Sequence, residues 1–436
     1  MEKKLYPFKF IPVASRRPWG GSNLVTKYGK AFVVCDDEGN ETVLGPDELI
    51  GESWEIADMG FEDSVLSNGW LAGNTISEIM ETYLERVVGE DVYKYFGRQF
   101  PLLIKFLDIN GKLSVQVHPD DEIAAERYDA MGKSELWYVL DAQSDANVYM
   151  GFKREVTAQE FYDKCNDGTV VDLLNVIHPK KGDVLFITPG TVHAVDGNIQ
   201  LVEIQESSDL TFRLYDWGRE KNPMTARPIH LEEAIDMIDY LPYDMCKYRK
   251  GPLWGEEASY DPCCSHLDHC CDHDHDHDHE HHAHEGQTVE TLVESAQFTV
   301  SKLNLTDPLH IYTEQFGSFI VYVCIEGAAS IQVPSVKENG ESYMENYEFS
   351  KGETMMVPAD MEDFYLVPRD RSTVLLEAFT RVQEDLDAYI DPNTDPYLEG
   401  EDYEGLEDGA FEDDEEDGPI GASPLGFFGA GRNQLS

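Results

Sequence analysis

Apolar residues in the first half of the chain come in short runs, many alternating with polar ones. The runs are FVVC (32–35), SWEIAD (53–58), LLIKFLD (102–108), KLSVQVHP (112–119), ELWYVLD (135–141), ANVYMGF (146–152), VLFITPG (184–190) and IQLVEIQE (199–206). Many carry β-branched or aromatic residues and are punctuated by Gly, Pro, Asn or Asp, which predicts an all-β barrel or sandwich. Within 112–119, Leu113, Val115 and Val117 fall on one face of the strand and Ser114, Gln116 and His118 on the other. A strand with one apolar and one polar face fits a barrel whose interior is a site.

Two helical stretches interrupt the strands. Thr75 to Tyr95 opens on a capping box, Thr75 to Glu78, and its apolar residues recur at helical spacing. Thr157 to Leu174 opens on Thr157 as N-cap, with Glu160 three residues on. A short amphipathic stretch, HLEEAIDMID, follows Arg227–Pro228. After a segment with no packable face, β-type runs resume at 297–305, 318–325, 329–333, 353–357 and 373–379, with Gly327 and Gly352 at turns. These predict a second, smaller β domain.

A chain of 436 residues with 41% hydrophobic residues has room for two or three modules with their own cores. No apolar run approaches the roughly 20 residues of a membrane span, and MEKKLYPFKF is too short and interrupted for a secretory h-region. A cytoplasmic protein is the expectation. Cys35, Cys165, Cys246 and Cys324 are scattered and read as reduced thiols rather than a disulfide framework.

The formal charge of −52 excludes nucleic acid and anionic membranes as natural partners. Part of it is local: 384–417 holds 17 acids and no base, and 261–285 holds eight more. The remaining 60 acids still outnumber 33 bases. An anionic substrate would approach against the mean field, so Lys and Arg inside the pocket must reverse the sign. The tail from about Glu384, ending in a Gly-rich stretch, has the composition of a disordered segment.

The segment DPCCSHLDHCCDHDHDHDHEHHAHEG (261–286) sets nine of the 14 histidines among carboxylates and paired cysteines. Thiolate and imidazole together suit zinc, copper or nickel. It reads either as a solvated low-complexity insertion with incidental metal affinity, or as a site that buffers or delivers a further divalent metal.

The candidate chemistry is spread over separate segments. KLSVQVHPDD supplies Gln116 and His118, GKSELWYVLD supplies Glu135, and GDVLFITPGTVHA supplies His193 after a turn set by Pro189 and Gly190. A lone His in a β protein is usually structural, and a lone Glu usually lies on the surface. Together, a Gln, a Glu and two His make a plausible set for one zinc ion with open positions, able to polarise a substrate oxygen.

PLLIKFLDINGKLSVQVHPDD, GKSELWYVLDA, GDVLFITPGTVHA and SSDLTFRLYDWGR stand in the order found in type I mannose-6-phosphate isomerases, and the chain resembles the shorter bacterial form of that family. The resemblance runs from Pro18–Gly21 to about Ile238 and returns more faintly in the second β domain. The one departure is a TPG turn where the family commonly has PAG.

The resemblance implies a mainly β fold of two cupin-like (jelly-roll) domains with helical insertions in the first. The expected boundaries are 1–245 for the catalytic domain, 246–290 for a Cys/His/Asp-rich metal-binding linker, 291–383 for the second cupin-like domain and 384–436 for the acidic tail. It implies zinc on Gln116, His118, Glu135 and His193, one ion per site, and Arg213 as a pocket residue required for catalysis. Lys133, Glu203 and Asp209 match further catalytic positions, and Ser114 and Lys105 match substrate-binding ones.

The implied reaction is reversible isomerisation of mannose 6-phosphate and fructose 6-phosphate through an enediol, with a small sugar phosphate as the partner. Glu203, Asp209 and Lys133 all qualify as the base. For Glu203, alternation along its strand leaves pocket and surface pairing equally open. For Arg213 the alternative is a buried structural ion pair. Rival functions are isomerisation of another sugar phosphate, a metal-buffering protein whose business is the insert, and a module that binds a sugar without turnover.

Overall fold

Two long strands organise the first domain. Leu102–Val117 spans 16 residues and His193–Glu206 spans 14, and they pair antiparallel from Leu102↔Glu206 to Gln116↔His193. The structure is a computed structural model and describes residues 3–35, 41–45, 47–244, 249–250, 287–337 and 339–382. The 261–286 insert and the tail from 384 lie outside the described residues.

Gly111 and Gly197 face each other midway along the long pair, with φ of 143° and 122°. A Cβ at Gly197 would stand 2.7 Å from Ala146 Cα, so only glycine fits. On one side of this point the pair is flanked by Glu52–Ile56 and Glu135–Ala142, and on the other by Asn147–Phe152 and Phe212–Tyr215. All belong to one 10-stranded sheet. Leu107, Val139 and Leu201 from one half and Leu113, Val148 and Val195 from the other share one apolar cluster.

The expected common face of Leu113, Val115 and Val117 is split. The register slips between His193 and Val195, an irregularity of the β-bulge kind. Leu113 packs with the interior cluster, whereas Val115 and Val117 join Phe161, Phe212 and Leu231 in another.

The second domain stacks two antiparallel sheets. One orders Thr288–Glu294, Thr299–Leu305, Thr373–Phe379, Ile320–Glu326 and Thr354–Val357. The other orders Leu309–Tyr312, Asp363–Pro368, Ala328–Val336 and Ser342–Ser350. The fold is therefore mainly β with cupin-like architecture, as expected. Four of these strands, 288–294, 309–312, 342–350 and 363–368, were not read from the sequence. Their burial patterns are largely mixed or exposed, and only 363–368 holds an apolar run, of the four residues Phe364 to Val367.

The helix expected over 75–95 is three short ones: Ile76–Tyr83, Glu85–Val88 and Glu90–Phe96. Its capping box forms as read, with Thr75 Oγ1 accepting from Glu78 N and the Glu78 carboxylate accepting from Thr75 N. The first break falls at Leu84, whose φ is 52°, and the second, at Gly89, has a packing cause. The carbonyls of Arg86, Val87 and Val88 accept N–H bonds from Asp360, Ala359 and Phe319 of the second domain. Backbone that ends a helix turn here is satisfied by another domain. Gly89, at φ 98°, lets Gly317 O approach to where a Cβ would sit 2.3 Å away. The second expected helix runs Ala158–Asp167 behind its Thr157 cap and stops at left-handed Gly168, short of Leu174. Among the described residues no helix is long and apolar enough to cross a membrane.

The two domains share one apolar cluster, in which Phe8, Phe100 and Val87 meet Phe298, Phe319 and Met356. Phe100 and Phe319 pack with centroids 4.6 Å apart and ring planes tilted by 52°, both fully buried. Lys30 Nζ, buried at the same boundary, donates to Glu55 Oε1 at 2.7 Å and to Gly352 O at 2.5 Å.

Phe319→Ala should cost about 3–5 kcal/mol. Denaturant unfolding followed by tryptophan fluorescence and circular dichroism should still show one coincident transition. A separate early transition of the second domain would contradict the shared core. Glu377 gives a pH test. Burial pushes its carboxyl up to about 7, against the bond it accepts from Tyr322 Oη at 2.9 Å. Its protonated form favours the fold below about pH 4.5, and that contribution is lost as pH rises through about 7. Glu377→Gln should therefore gain stability over the parent between about pH 5 and pH 8, on the order of 3 kcal/mol, in melts across that range.

Candidate active site

The long strand pair brings the predicted residues into register. Gln116 stands opposite His193 on one side and opposite Arg213 on the other. In the other half of the sheet, Lys105 stands opposite Glu203, and Glu203 opposite Trp137. Gln205 stands opposite Glu135. Directly opposed residues share a face, so these side chains enter the same interior.

The HPDD segment builds its own support. Asp120 caps the helix Asp121–Tyr128, and the Asp121 carboxylate accepts from Gly132 N at 2.9 Å. Lys133 N donates to Pro119 O at 3.0 Å. These bonds tie the segment bearing His118 to the one bearing Lys133 and Glu135. Gly190 N donates to His118 O at 2.9 Å, which docks the PGTVH turn beside the same histidine. The TPG spelling of that turn leaves His193 in place.

His118, Glu135 and His193 converge, with ligand atoms all within 4.8 Å of one another. His118 Nδ1 bonds Leu210 O at 2.9 Å, and His193 Nδ1 bonds Thr191 O at 2.9 Å. Each Nδ1 must carry the proton to donate to a carbonyl, which leaves both Nε2 atoms as lone pairs. Those lone pairs face Glu135 Oε1 at 3.5 Å and 3.2 Å. His118 Nε2 and both Glu135 oxygens are buried without a hydrogen bond. Burial and the Lys133 charge push the His118 imidazole down to about 3, against the pull of Glu135. Lys133, 3.4 Å from Glu135 Oε2, holds Glu135 well below the ordinary carboxylate range although burial opposes it. Three buried lone-pair donors aimed at one another repel unless a cation lies among them. The donor set fits a divalent metal of the zinc type.

Gln116 lies at the edge of this group. Its Nε2 is 3.1 Å from His193 Nε2, and its Oε1 accepts from Ser114 Oγ at 3.2 Å. A half-turn of the amide would exchange nitrogen and oxygen and point the oxygen at the same centre.

Glu203 faces the interior. Its Oε1 accepts from Trp137 Nε1 at 2.9 Å, and its Oε2 pairs with Lys105 Nζ at 3.0 Å. Lys105 also donates to Gln205 Oε1 at 2.7 Å. Burial alone would lower the lysine, but Glu203, Glu52 and Asp209 hold it above its usual value. Asp209 is half-buried and acts on Lys105 and Arg17 through its charge.

Arg213 donates from Nη1 to Pro228 O at 2.9 Å, and its buried Nε makes no hydrogen bond. Burial, Arg227, Arg17 and Arg219 bring it down to about 10, with Asp216 opposing. Among the described residues no carboxylate pairs with Arg213, and Asp216 is bonded instead by Arg219 and Arg227 at 2.6 Å each.

Sequence reading missed Arg17, Arg219, Arg227 and Glu52. Arg17 bonds Glu52 at 3.0 and 3.2 Å, and Trp54 Nε1 bonds the same carboxylate at 2.7 Å. Arg17 and Lys105 hold Glu52 at about 2 despite burial. Two of these arginines lay beside quoted motifs, Arg17 before PWGG and Arg219 at the end of RLYDWGR.

Residues 8–149 match the family model described as phosphomannose isomerase type I, catalytic domain, and 288–369 match the mannose-6-phosphate isomerase cupin domain. The chain is 31% identical over 361 residues to mannose-6-phosphate isomerase ManA of Bacillus subtilis, covering 83% of this chain and 95% of that protein. It is 28% identical to the mannose-6-phosphate isomerase of Streptococcus mutans, covering 79% and 89%. The crystal structure of the mannose 6-phosphate isomerase from Bacillus subtilis superimposes with a TM-score of 0.65 at 25% identity, covering 86% of this chain and 99% of that one. By both family models and by identity along nearly the full length of a curated relative, the chain belongs to the type I phosphomannose isomerase family.

Proposed function

We propose that this enzyme interconverts mannose 6-phosphate and fructose 6-phosphate through an enediol, with one zinc ion held by His118, Glu135, His193 and Gln116. The observation that supports this most directly is the convergence of two imidazole lone pairs on a buried carboxylate that has no hydrogen bond. When bound, zinc supplies a Lewis acid that polarises a substrate oxygen.

The chain's own groups supply the rest. The reaction moves a proton from C2 to C1 of the open-chain sugar and another from the C2 hydroxyl to the C1 oxygen, and it builds negative charge on those two oxygens at the enediol stage. Arg213, with an unbonded Nε and no carboxylate of its own, stabilises that charge or the phosphate. Arg17, Arg219 and Arg227 beside it, with Lys105 and Lys133, reverse the sign of an acidic protein inside its pocket. With the Gln116 oxygen turned to the metal, its amide nitrogen donates to Ser114 Oγ, now 3.2 Å from the amide oxygen.

Glu203 has both oxygens engaged, so it orients Lys105 rather than receiving the substrate proton. Asp209 and Lys133 are then the groups that move it. The 261–286 insert holds further divalent ions outside the catalytic centre.

Chelation should abolish turnover in a coupled assay of mannose 6-phosphate conversion, and added zinc should restore it. A chain lacking 261–286 should behave the same while binding fewer equivalents of metal by elemental analysis. Turnover that survives complete metal removal would sink the zinc reading. Arg213→Ala should lower kcat/KM by about 100-fold or more with zinc content unchanged, whereas Glu135→Gln should lose the catalytic zinc itself. Near-parental activity in Arg213→Ala would return that residue to a structural role. Conversion of another sugar phosphate in preference to mannose 6-phosphate would reassign the substrate.

A further inference from the structure

A second cavity, of about 630 Å³, opens between the N-terminal segment, the turn at Gly69–Trp70 and one end of the second domain's four-stranded sheet. No residue placed in the catalytic site lines it. Four aromatic residues, Tyr6, Trp70, Tyr343 and Tyr347, stand in its lining beside Lys3 and Lys4. Tyr6 stacks on Tyr347 with centroids 6.1 Å apart at 15°, and Trp70 stands 6.0 Å from Tyr6. Packing accounts for Tyr6, whose hydroxyl donates to Asn68 O and accepts from Leu71 N. It does not account for Trp70 or Tyr343, which remain 40% and 38% exposed.

Among these rings sits Glu345. It accepts from Tyr343 Oη at 2.8 Å, Tyr347 Oη at 2.7 Å and Ser335 Oγ at 3.0 Å. These donors are all neutral, and their bonds, that of Tyr347 foremost, hold the carboxyl below its usual range although burial opposes it. The anion stays ionised and fixed in place. Asp363 and the exposed Glu362 add negative charge at the rim. Two cations already use the rings: Lys3 Nζ lies 4.6 Å from the Trp70 ring centroid and Lys337 Nζ 5.7 Å from that of Tyr343.

Ring faces plus an immobilised carboxylate are the chemistry that selects organic ammonium groups over hydrated metal ions. We propose that this cavity binds a small alkyl polyammonium compound, with one ammonium on the Trp70 face and a second on Glu345. The Lys3 ammonium is its intramolecular competitor. The strongly negative chain raises the local concentration of any cation, and the rings supply the selectivity.

The test uses the full chain and spermidine, followed by calorimetry and tryptophan fluorescence, with magnesium at equal ionic strength as control. One saturable site is expected above any diffuse binding. Trp70→Ala and Glu345→Gln should each weaken it about tenfold, and Lys3→Ala should tighten it about threefold. Isomerase turnover should be unchanged in all three, which reports that they fold. Affinity that is the same in Trp70→Ala, a titration that magnesium reproduces, or no saturable site would each overturn the proposal. The first two outcomes would assign the binding to diffuse counterions of the acidic chain.

Discussion

The antiparallel pairing of Leu102–Val117 with His193–Glu206 is the constraint on which the rest of the molecule depends. One register places Lys105 beside Glu203, and a one-residue irregularity between His193 and Val195 resets it so that Gln116 stands beside His193. A slip by one residue would turn every one of these side chains to the opposite face. Gly111 and Gly197 sit where the flanking strands change, so one continuous pair serves two halves of a sheet. His193 and Glu135 come from different halves, yet their ligand atoms approach to 3.2 Å. The centre therefore exists only when both halves are formed, which couples metal affinity to folding.

Charge is the second constraint. A protein at −52 must concentrate positive charge where it receives a phosphate. It does so with ladders in which each carboxylate holds cations in position. Glu52 holds Arg17, Glu203 holds Lys105, and Asp216 holds Arg219 and Arg227. Arg213 is the exception, bonded to a backbone carbonyl and raised in potential by its arginine neighbours. Removing a supporting carboxylate would leave a buried cation unpaired, a cost that spreads beyond its own site.

Much of this was legible in the residues. Strand runs and caps followed from alternation and turn chemistry, and donor type singled out His118, Glu135 and His193, which the structure brings together. The face of Glu203 did not, because Leu201, Glu203 and Gln205 share one face while Val202 and Ile204 on the other are just as buried. Burial on both faces erases the polarity signal that a half-exposed strand carries. The break of the 75–95 helix was also hidden. At Gly89 the helix ends on carbonyls taken up by the backbone N–H groups of Phe319, Ala359 and Asp360, more than 200 residues away. The aspartates of HPDD show the converse. Beside a histidine they invite a metal reading, yet Asp120 and Asp121 fix a helix and the loop before Lys133.

That long-range capping gives the second domain a function without a catalytic residue. Its N–H groups terminate the helix Glu85–Val88, and Phe319 covers Phe100, two residues before the strand that carries Lys105 and Gln116 begins. Its Gly352 carbonyl also anchors Lys30, which is bonded to Glu55, three residues past Glu52. The start of the long strand and the carboxylate ladder beside it are thus held from outside the catalytic domain. Buried aromatic and backbone contacts of this kind have few alternative arrangements, so they keep the interior cations in place better than exposed ion pairs could.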